Sequence, residues 1–272
     1  MYNSPVPLDI EARVIANTRL SRDYNVLSLA APEIAAAVAP GQFVMVKPGR
    51  CNDPLLRRPF SVFEILRENG RVSGLTLLSK RVGVTTRMLL EAVEGDIVSC
   101  LGPLGKPFEP VDPPAEAWMV AGGVGLAPFA TLTEALVERG TPTTLFYGAR
   151  SGRELFYLDW FASRGVRLVL ATEDGTTGER GRVTVPLERE LQRADGSVMI
   201  YACGPEPMLE AVSHVSAKYG RRCQVSVERV MGCGMGGCYS CVIPMKDKTG
   251  GHHYVRSCIG GPVFYGADLV WD

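Results

Sequence analysis

Residues 117–140 read AWMVAGGVGLAPFATLTEALVERG. Ala117–Ala121 carries no charge and suits a buried strand. Gly122-Gly123-Val124-Gly125 then turns the chain, and Pro128–Arg139 has the composition of a helix with a proline at its start. A strand that passes through a glycine turn into a helix is the unit of a parallel sheet covered on both faces. It is also an anion site in outline. Glycine lets a phosphate approach the backbone, and a helix N-terminus supplies free N–H groups. A turn needed only for packing has the same pattern, so G-G-x-G by itself leaves both readings open.

The rhythm continues downstream. Strands are expected at Thr144–Tyr147, Val166–Ala171 and Val198–Ala202, with helices at Glu154–Ser163, Val185–Ala194 and Pro205–Tyr219. Upstream it changes. Arg13–Asn17, Tyr24–Ala30, Gln42–Val46, Phe60–Leu66, Arg71–Leu78 and Asp96–Leu101 are short apolar runs between turn residues, which predicts a small antiparallel barrel. One helix, Thr85–Ala92, interrupts them. The fold class is therefore β plus α/β, in three parts: an antiparallel barrel over 1–110, a parallel-sheet domain over 111–228, and a Gly- and Cys-rich segment over 229–272. The first boundary falls in EPVDPP (109–114), where no regular element continues.

Composition sets limits on function. The 272 residues are 46% hydrophobic, and 29 basic residues balance 29 acidic ones. That balance gives no footprint for nucleic acid and no polybasic membrane anchor. The uncharged stretch Ala117–Thr133 is broken by glycine and proline and is short for a membrane span of about 20 residues. The opening MYNSPVPLDIEARV lacks the basic and apolar regions of a signal peptide, so a cytoplasmic protein is expected.

Four of the eight cysteines lie in roughly the last forty residues. Cys233, Cys238 and Cys241 form C-x4-C-x2-C, and Cys258 follows after sixteen intervening residues. This is the plant-type spacing for a [2Fe–2S] cluster. A tight loop presents three thiolates, a distant turn presents the fourth, and Gly234, Gly236 and Gly237 let the backbone wrap the sulfides. Structural zinc, which favours paired knuckles, and disulfides are the competing readings. Cys51, Cys100 and Cys223 read as small packed hydrophobes. His252 and His253 lack a Rieske-type spacing and read as a solvated loop.

Two further stretches suit a nucleotide. Arg57-Arg58-Pro59-Phe60-Ser61 opens a barrel strand, where an arginine can meet a pyrophosphate and an aromatic can meet a flat ring. Cys203-Gly204-Pro205 ends a strand at the carboxyl edge of the parallel sheet, where ligands gather. Cys203 reads equally well as a buried packing thiol.

In order along the chain, R-x-x-S, G-G-x-G-x-x-P and C-G-P resemble the ferredoxin–NADP reductase superfamily. ERVMGCGMGGCYSC (228–241), RSCIGGPVF (256–264) and TEDGTTGERG (172–181) narrow the likeness. Together they are similar to the electron-transfer subunits of NAD-linked, type B dihydroorotate dehydrogenases. The likeness implies FAD on the barrel. Arg58 would hold its pyrophosphate, with Pro59 beside it. Phe60, where the wider superfamily has tyrosine, would lie near the isoalloxazine or ribityl chain, and Ser61 near the reactive flavin nitrogen. Leu78, Ser79 and Lys80 match a strand touching the cofactor. Thr85 and Thr86 match a phosphate-binding helix start, with Thr85 replacing the usual glycine. NAD would lie on Gly122, Gly123 and Gly125, with Cys203, Gly204 and Pro205 at the nicotinamide. Arg150 and Arg153 follow the second sheet strand, either near a 2′-phosphate or in a solvated turn, and NAD is preferred on family grounds. Cys233, Cys238, Cys241 and Cys258 would ligate the cluster.

The likeness also implies a partner, an FMN-containing dihydroorotate dehydrogenase catalytic subunit, in a two-plus-two heterotetramer. Electrons would pass from that subunit through the cluster and FAD to NAD, in pyrimidine biosynthesis. Similar subunits serve hydrogenases, sulfide dehydrogenases and ferredoxin transhydrogenases, which makes these the alternative partners. A non-catalytic nucleotide sensor with a zinc site is a remoter reading.

Overall fold

The computed structural model describes residues 6–49 and 53–271. Cys51 lies outside them. The N-terminal part is built from β1 (Leu8–Arg19), β2 (Tyr24–Ala30), β3 (Phe43–Pro48), β4 (Arg58–Ser61), β5 (Ile65–Glu68), β6 (Arg71–Lys80) and β7 (Ile97–Leu104). They form one sheet in the order β4-β3-β7-β1-β2-β6-β5, antiparallel throughout. The expected single strand over Phe60–Leu66 is in fact two, and the break closes the sheet on itself. Val62 N–H donates to Gln42 O at 3.1 Å, and Phe63 N–H donates to Thr76 O at 2.9 Å. Backbone that leaves β4 thus crosses to β6, leaving few unpaired edge groups. A short helix, α1 (Pro32–Ala37), was not signalled by periodicity; Ile34 and Ala35 plug the barrel with Leu27, Leu75 and Val98.

The second helix, α2 (Val84–Glu91), lies over the barrel. Asn17 Nδ2 fixes its C-terminal end, donating to the carbonyls of Leu89, Leu90 and Ala92 at 3.1, 3.2 and 2.8 Å. These carbonyls have no acceptor role left within the helix, so the contact satisfies them. The N-terminal end faces outward.

The central part contains β8 (Glu116–Gly122), α3 (Ala127–Glu138), β9 (Thr143–Ala149), α4 (Leu158–Ala162), β10 (Arg167–Thr172), β11 (Glu179–Arg180), α5 (Thr184–Leu191), β12 (Val198–Cys203), α6 (Glu206–Lys218) and β13 (Arg222–Ser226). The helix expected from Glu154 starts only at Leu158, because Tyr157 holds a left-handed backbone at φ 61°. The sheet order is β11-β10-β9-β8-β12-β13-β16, where β16 is Val263–Tyr265. All pairings are parallel except β13 with β16. The first strand, β8, lies between β9 and β12, so the order reverses there and leaves a crevice at the carboxyl ends of β8 and β12. The sheet is covered on both faces. Leu126, Phe129, Leu132 and Leu136 pack on one side, and Leu187, Leu191, Leu209 and Val212 on the other. Each such side chain contributes about 1.5–3 kcal/mol by burial.

Residues 227–262 leave this sheet after β13 and return to it at β16. Between them lie the cysteine loop, β14 (Val242–Lys246), β15 (His252–Arg256) and the turn α7 (Ser257–Gly260). His252 and His253 are exposed as expected, but they sit on β15, paired with β14, rather than in a loop. The cysteine loop rests on the barrel: Met231, Cys241 and Cys258 share a core with Phe43, Met45, Leu101 and Leu104.

Candidate functional site

Three groups of residues come together around the barrel. The first is at β4. Arg57 and Arg58 are adjacent in sequence but differ in placement. Arg57 is held by Asp9 Oδ1 at 2.6 Å and by Ser99 Oγ at 2.7 and 3.2 Å. Arg58 donates to the carbonyls of Leu56 and Arg57 at 3.0 and 3.1 Å and stays at the surface. Pro59, Phe60 and Ser61 are half-buried. The start of α2 supplies a second polar wall. Thr86 Oγ1 accepts from Val82 N–H and Gly83 N–H at 2.8 and 2.9 Å and folds that turn. The amides of the first helical turn have no intrahelical acceptor. Thr85 is buried, so its side chain does not cover them.

Leu78, Ser79 and Lys80 end β6. Ser79 is 2% exposed, yet its hydroxyl has no hydrogen-bond partner. Leaving such a group unpaired costs about 1–3 kcal/mol, so its environment suits a ligand atom that pairs with it. This is the structural test that the implied FAD passes. Ser79→Ala is expected to weaken FAD binding about tenfold without lowering the melting temperature of the flavin-free chain. Fluorescence titration of deflavinated protein reads this, and an unchanged affinity removes Ser79 from the site.

The second group is a pocket of about 460 Å³ at the crevice beyond β8 and β12, lined by Gly122, Gly123, Arg150, Arg182, Pro205 and Glu228 among others. Such a volume fits a small ligand. The glycines divide by role. A Cβ on Gly123 would meet nothing within 4 Å, and its φ of +55° favours glycine. Tyr147 Oη bridges the Gly123 and Glu154 carbonyls at 3.3 and 3.2 Å and fixes this turn. Gly125 lies behind the pocket, where a Cβ would fall 2.2 Å from Cys203 O. Its glycine is needed for close packing of the helix start on β12. Cys203 and Gly204 also sit behind the wall that Pro205 forms. Burial raises the Cys203 thiol far above its ordinary value, and Glu228 nearby pushes the same way. It is a neutral thiol at neutral pH.

Sequence reasoning placed Lys80 at the flavin but missed Tyr24 and Glu154, which with it join this pocket to the barrel. Tyr24 and Lys80 of the barrel line it together with Glu154. Lys80 Nζ lies 3.8 Å from Glu154 Oε1 and 4.9 Å from the centre of the Tyr24 ring. The nucleotide pocket therefore borders the end of β6, which carries Ser79. Arg150 lines the pocket, whereas Arg153 is not part of its wall. The position after the second sheet strand is the signal on which Arg150 was read, whereas nothing in the local sequence marks Tyr24.

The third group is the cysteine loop. Its thiols lie within reach of one another. Cys233 acts on Cys238, and both Cys241 and Cys233 act on Cys258. Four thiols, three on one loop and one on the turn behind it, are the donor set that a two-iron cluster needs. Cys241 and Cys258 are 2% and 3% exposed, and Cys238 is open. Burial pushes the Cys258 thiol up to about 12. The Ser240 hydroxyl, with the Ser240 amide and Cys233 beside it, lowers the Cys238 thiol to about 6. Met235 N–H and Gly237 N–H point to Cys233 Sγ at 3.4 and 3.3 Å. Arg256 holds the loop by donating to Gly236 O at 2.7 Å and lying over the Tyr239 ring. Ser257, beside Cys258, is fully buried with an unpaired hydroxyl, a donor that suits a sulfur-rich group. Cys100 and Cys223 are buried elsewhere, as expected.

The loop also lies close to β4. Gly234 packs so tightly on β3 that a Cβ there would fall 2.5 Å from Met45 Cγ. Met45 is paired directly with Pro59, and Val44 with Phe60. β3, on which the loop packs through Gly234, is the paired neighbour of the Arg58–Ser61 strand, about 4.8 Å from it.

Known proteins match these three groups. Residues 11–108 match the family model for an oxidoreductase FAD-binding domain, residues 119–214 that for an oxidoreductase NAD-binding domain, and residues 228–270 that for the iron–sulfur cluster binding domain of dihydroorotate dehydrogenase B. The dihydroorotate dehydrogenase B (NAD(+)) electron transfer subunit of Desulforamulus reducens is 35% identical over 262 residues, covering 96% of this chain and 98% of that protein. Its counterpart from Geobacillus kaustophilus is 36% identical over 266 residues, with coverage of 96% and 98%. Among solved structures, an NADH-dependent reduced ferredoxin–NADP oxidoreductase studied for flavin-based electron bifurcation superposes with a TM-score of 0.83. It is 25% identical and covers 100% of this chain and 92% of that one. A ferredoxin reductase of carbazole 1,9a-dioxygenase shares the fold over 80% of this chain and 68% of its own, at a TM-score of 0.69. With its FAD-binding barrel, NAD-binding sheet and iron–sulfur loop in this order, the chain belongs to the family of electron transfer subunits of NAD(+)-dependent dihydroorotate dehydrogenase B.

Proposed function

We propose that this chain carries electrons from a catalytic subunit that oxidises dihydroorotate on FMN to NAD, within a two-plus-two heterotetramer in the cytoplasm. The observation that carries this reading is the position of the barrel. Its β3–β7 wall supports the cysteine loop, and the end of its β6 borders the nucleotide pocket. The bound cofactors supply the redox chemistry, with the flavin linking hydride transfer to single-electron transfer through the cluster.

The residues of the chain hold and orient. Arg58 and the start of α2, with Thr85 and Thr86, hold the FAD pyrophosphate; Phe60, Ser61, Leu78, Ser79 and Lys80 face the flavin. Gly122 and Gly123 admit the NAD pyrophosphate, Gly125 sets the turn behind them, and Cys203-Gly204-Pro205 bounds the nicotinamide end. Cys233, Cys238, Cys241 and Cys258 ligate a [2Fe–2S] cluster. The chain divides into units 1–110, 111–228 and 229–272 on this reading.

Apolar side chains surround the cysteine loop on the outside. Val230, Met235 and Tyr239 are 83%, 59% and 63% exposed. A group of exposed apolar residues beside an electron-transfer centre suits a partner surface. The structural likeness to a ferredoxin-linked oxidoreductase supports a second partner class, but the 35–36% identity over nearly the whole chain favours the dihydroorotate-oxidising partner. Co-expression with an FMN-containing dihydroorotate dehydrogenase is expected to give one co-eluting species on gel filtration that forms NADH from dihydroorotate and NAD. Separate elution, or a co-eluting complex loaded with all cofactors that forms no NADH, sinks the proposal.

A further inference from the structure

Ser240 lies two residues beyond Cys238 and one before Cys241. Its Oγ is 3.2 Å from Cys238 Sγ and accepts from Gly232 N–H at 2.9 Å. A serine hydroxyl has one proton and two lone pairs. The Gly232 amide uses a lone pair, so the proton remains free. A ligating cysteine sulfur carries no proton, so with Cys238 on iron the contact has one polarity, O–H to S. Gly232 and Ser240 also flank the ligand loop, and their bond holds its two ends together. The hydroxyl is thus oriented by the loop that it closes.

We propose that Ser240 is a positioning residue that raises the reduction potential of the cluster by donating its hydroxyl proton to the Cys238 sulfur. It rests on the four-cysteine ligand set. Reduction adds negative charge to the sulfurs, and a donor aimed at one of them is stronger in the reduced state. The oxidised state gains less, so the donor favours reduction. Ser240 is at the surface beside the exposed Cys238, so its hydroxyl would act from the side of the loop turned away from the barrel.

The test is an EPR-monitored redox titration of the full chain loaded with FAD and iron. In Ser240→Ala the ratio of reduced to oxidised cluster at a fixed potential is expected to fall about tenfold. For a one-electron couple that is a lowering of about 59 mV. Ser240→Thr, which keeps a hydroxyl, restores the wild-type value, and the flavin potential stays constant in all variants. Ser240→Asp covers the case in which the alanine variant holds less iron. Its carboxylate still accepts from Gly232 but has no proton to give, so the potential must fall at least as far. An unchanged cluster potential in either iron-loaded variant overturns the proposal. A wild-type chain that holds no iron would instead overturn the ligand set.

Discussion

Cys241→Ala is expected to lose nearly all of its iron and acid-labile sulfide. NADH formation from dihydroorotate in the assembled complex should fall by about 100-fold or more. Oxidation of NADH by ferricyanide, which needs the flavin and not the cluster, should stay within about twofold of wild type, because that electron path bypasses the cluster. The argument is one of ligand number and position. Cys241 is 2% exposed and packs with Met45, Leu104 and Cys258. Phe43, Met45, Leu101, Leu104 and Met231, which share that wall, carry no oxygen or nitrogen in their side chains, whereas a lost ligand at the open Cys238 can be replaced by water. The alanine removes one sulfur from the core, which costs stability far less than the site loses in metal affinity. Cys223→Ala is the control. That thiol is also buried and is pushed up to about 12 by burial, but it lies in the opposite core with Val225 and Ile200, and its variant should keep full iron. Iron retention in Cys241→Ala would remove it from the ligand set.

The second large effect separates two glycines that stand two residues apart. Gly125→Ala places a methyl carbon 2.2 Å from Cys203 O and 2.7 Å from Gly204 Cα. Both obstacles are backbone in or beside β12, so neither can rotate away. The expected cost is about 3 kcal/mol, a fall in melting temperature of roughly 6–12 °C. Gly123→Ala has open space around its Cβ and pays only for a φ of +55°, about 1 kcal/mol. It should melt within a few degrees of wild type, but on the proposed reading its methyl would stand where the NAD pyrophosphate approaches the backbone. KM for NAD is expected to rise about tenfold. Thermal melts and steady-state kinetics on the pair read both effects. The reverse pattern would mean that Gly125 and not Gly123 meets the nucleotide.

How much of this was legible in the sequence depends on how far apart the partners lie. Local signals were reliable. The G-G-x-G turn between Ala121 and Leu126 reads directly as strand-turn-helix, and the spacing of Cys233, Cys238 and Cys241 describes a single loop. The barrel strands were found, but the break between Ser61 and Ile65 was not, because it arises from pairing with Gln42 and Thr76 on different strands. The role of Arg58 came from resemblance. What distinguishes it physically from Arg57 is Asp9, 48 residues away. The pocket residues Tyr24, Glu154 and Arg182 come from three separate segments, and periodicity carries no information about such meetings. The same holds for β13, which pairs with a strand at the far end of the chain. The exposed pair His252–His253 shows the opposite limit: its solvation was legible, but its strand pairing with Lys246 and Met245 was not.

Because β13 and β16 are neighbours, residues 227–262 form a closed excursion whose two ends are sewn into one sheet. The chain entropy lost in closing that excursion, about 3 kcal/mol for its length, is offset by the sheet pairing at its two ends and by the apolar wall at Met45. In a zinc finger, by contrast, metal binding free energy is folding free energy. Here both ends of the excursion are anchored by the β13–β16 pairing, which uses none of the cysteines. A chain stripped by a chelator is therefore expected to keep its sheet, the scaffold on which a fresh cluster can be rebuilt.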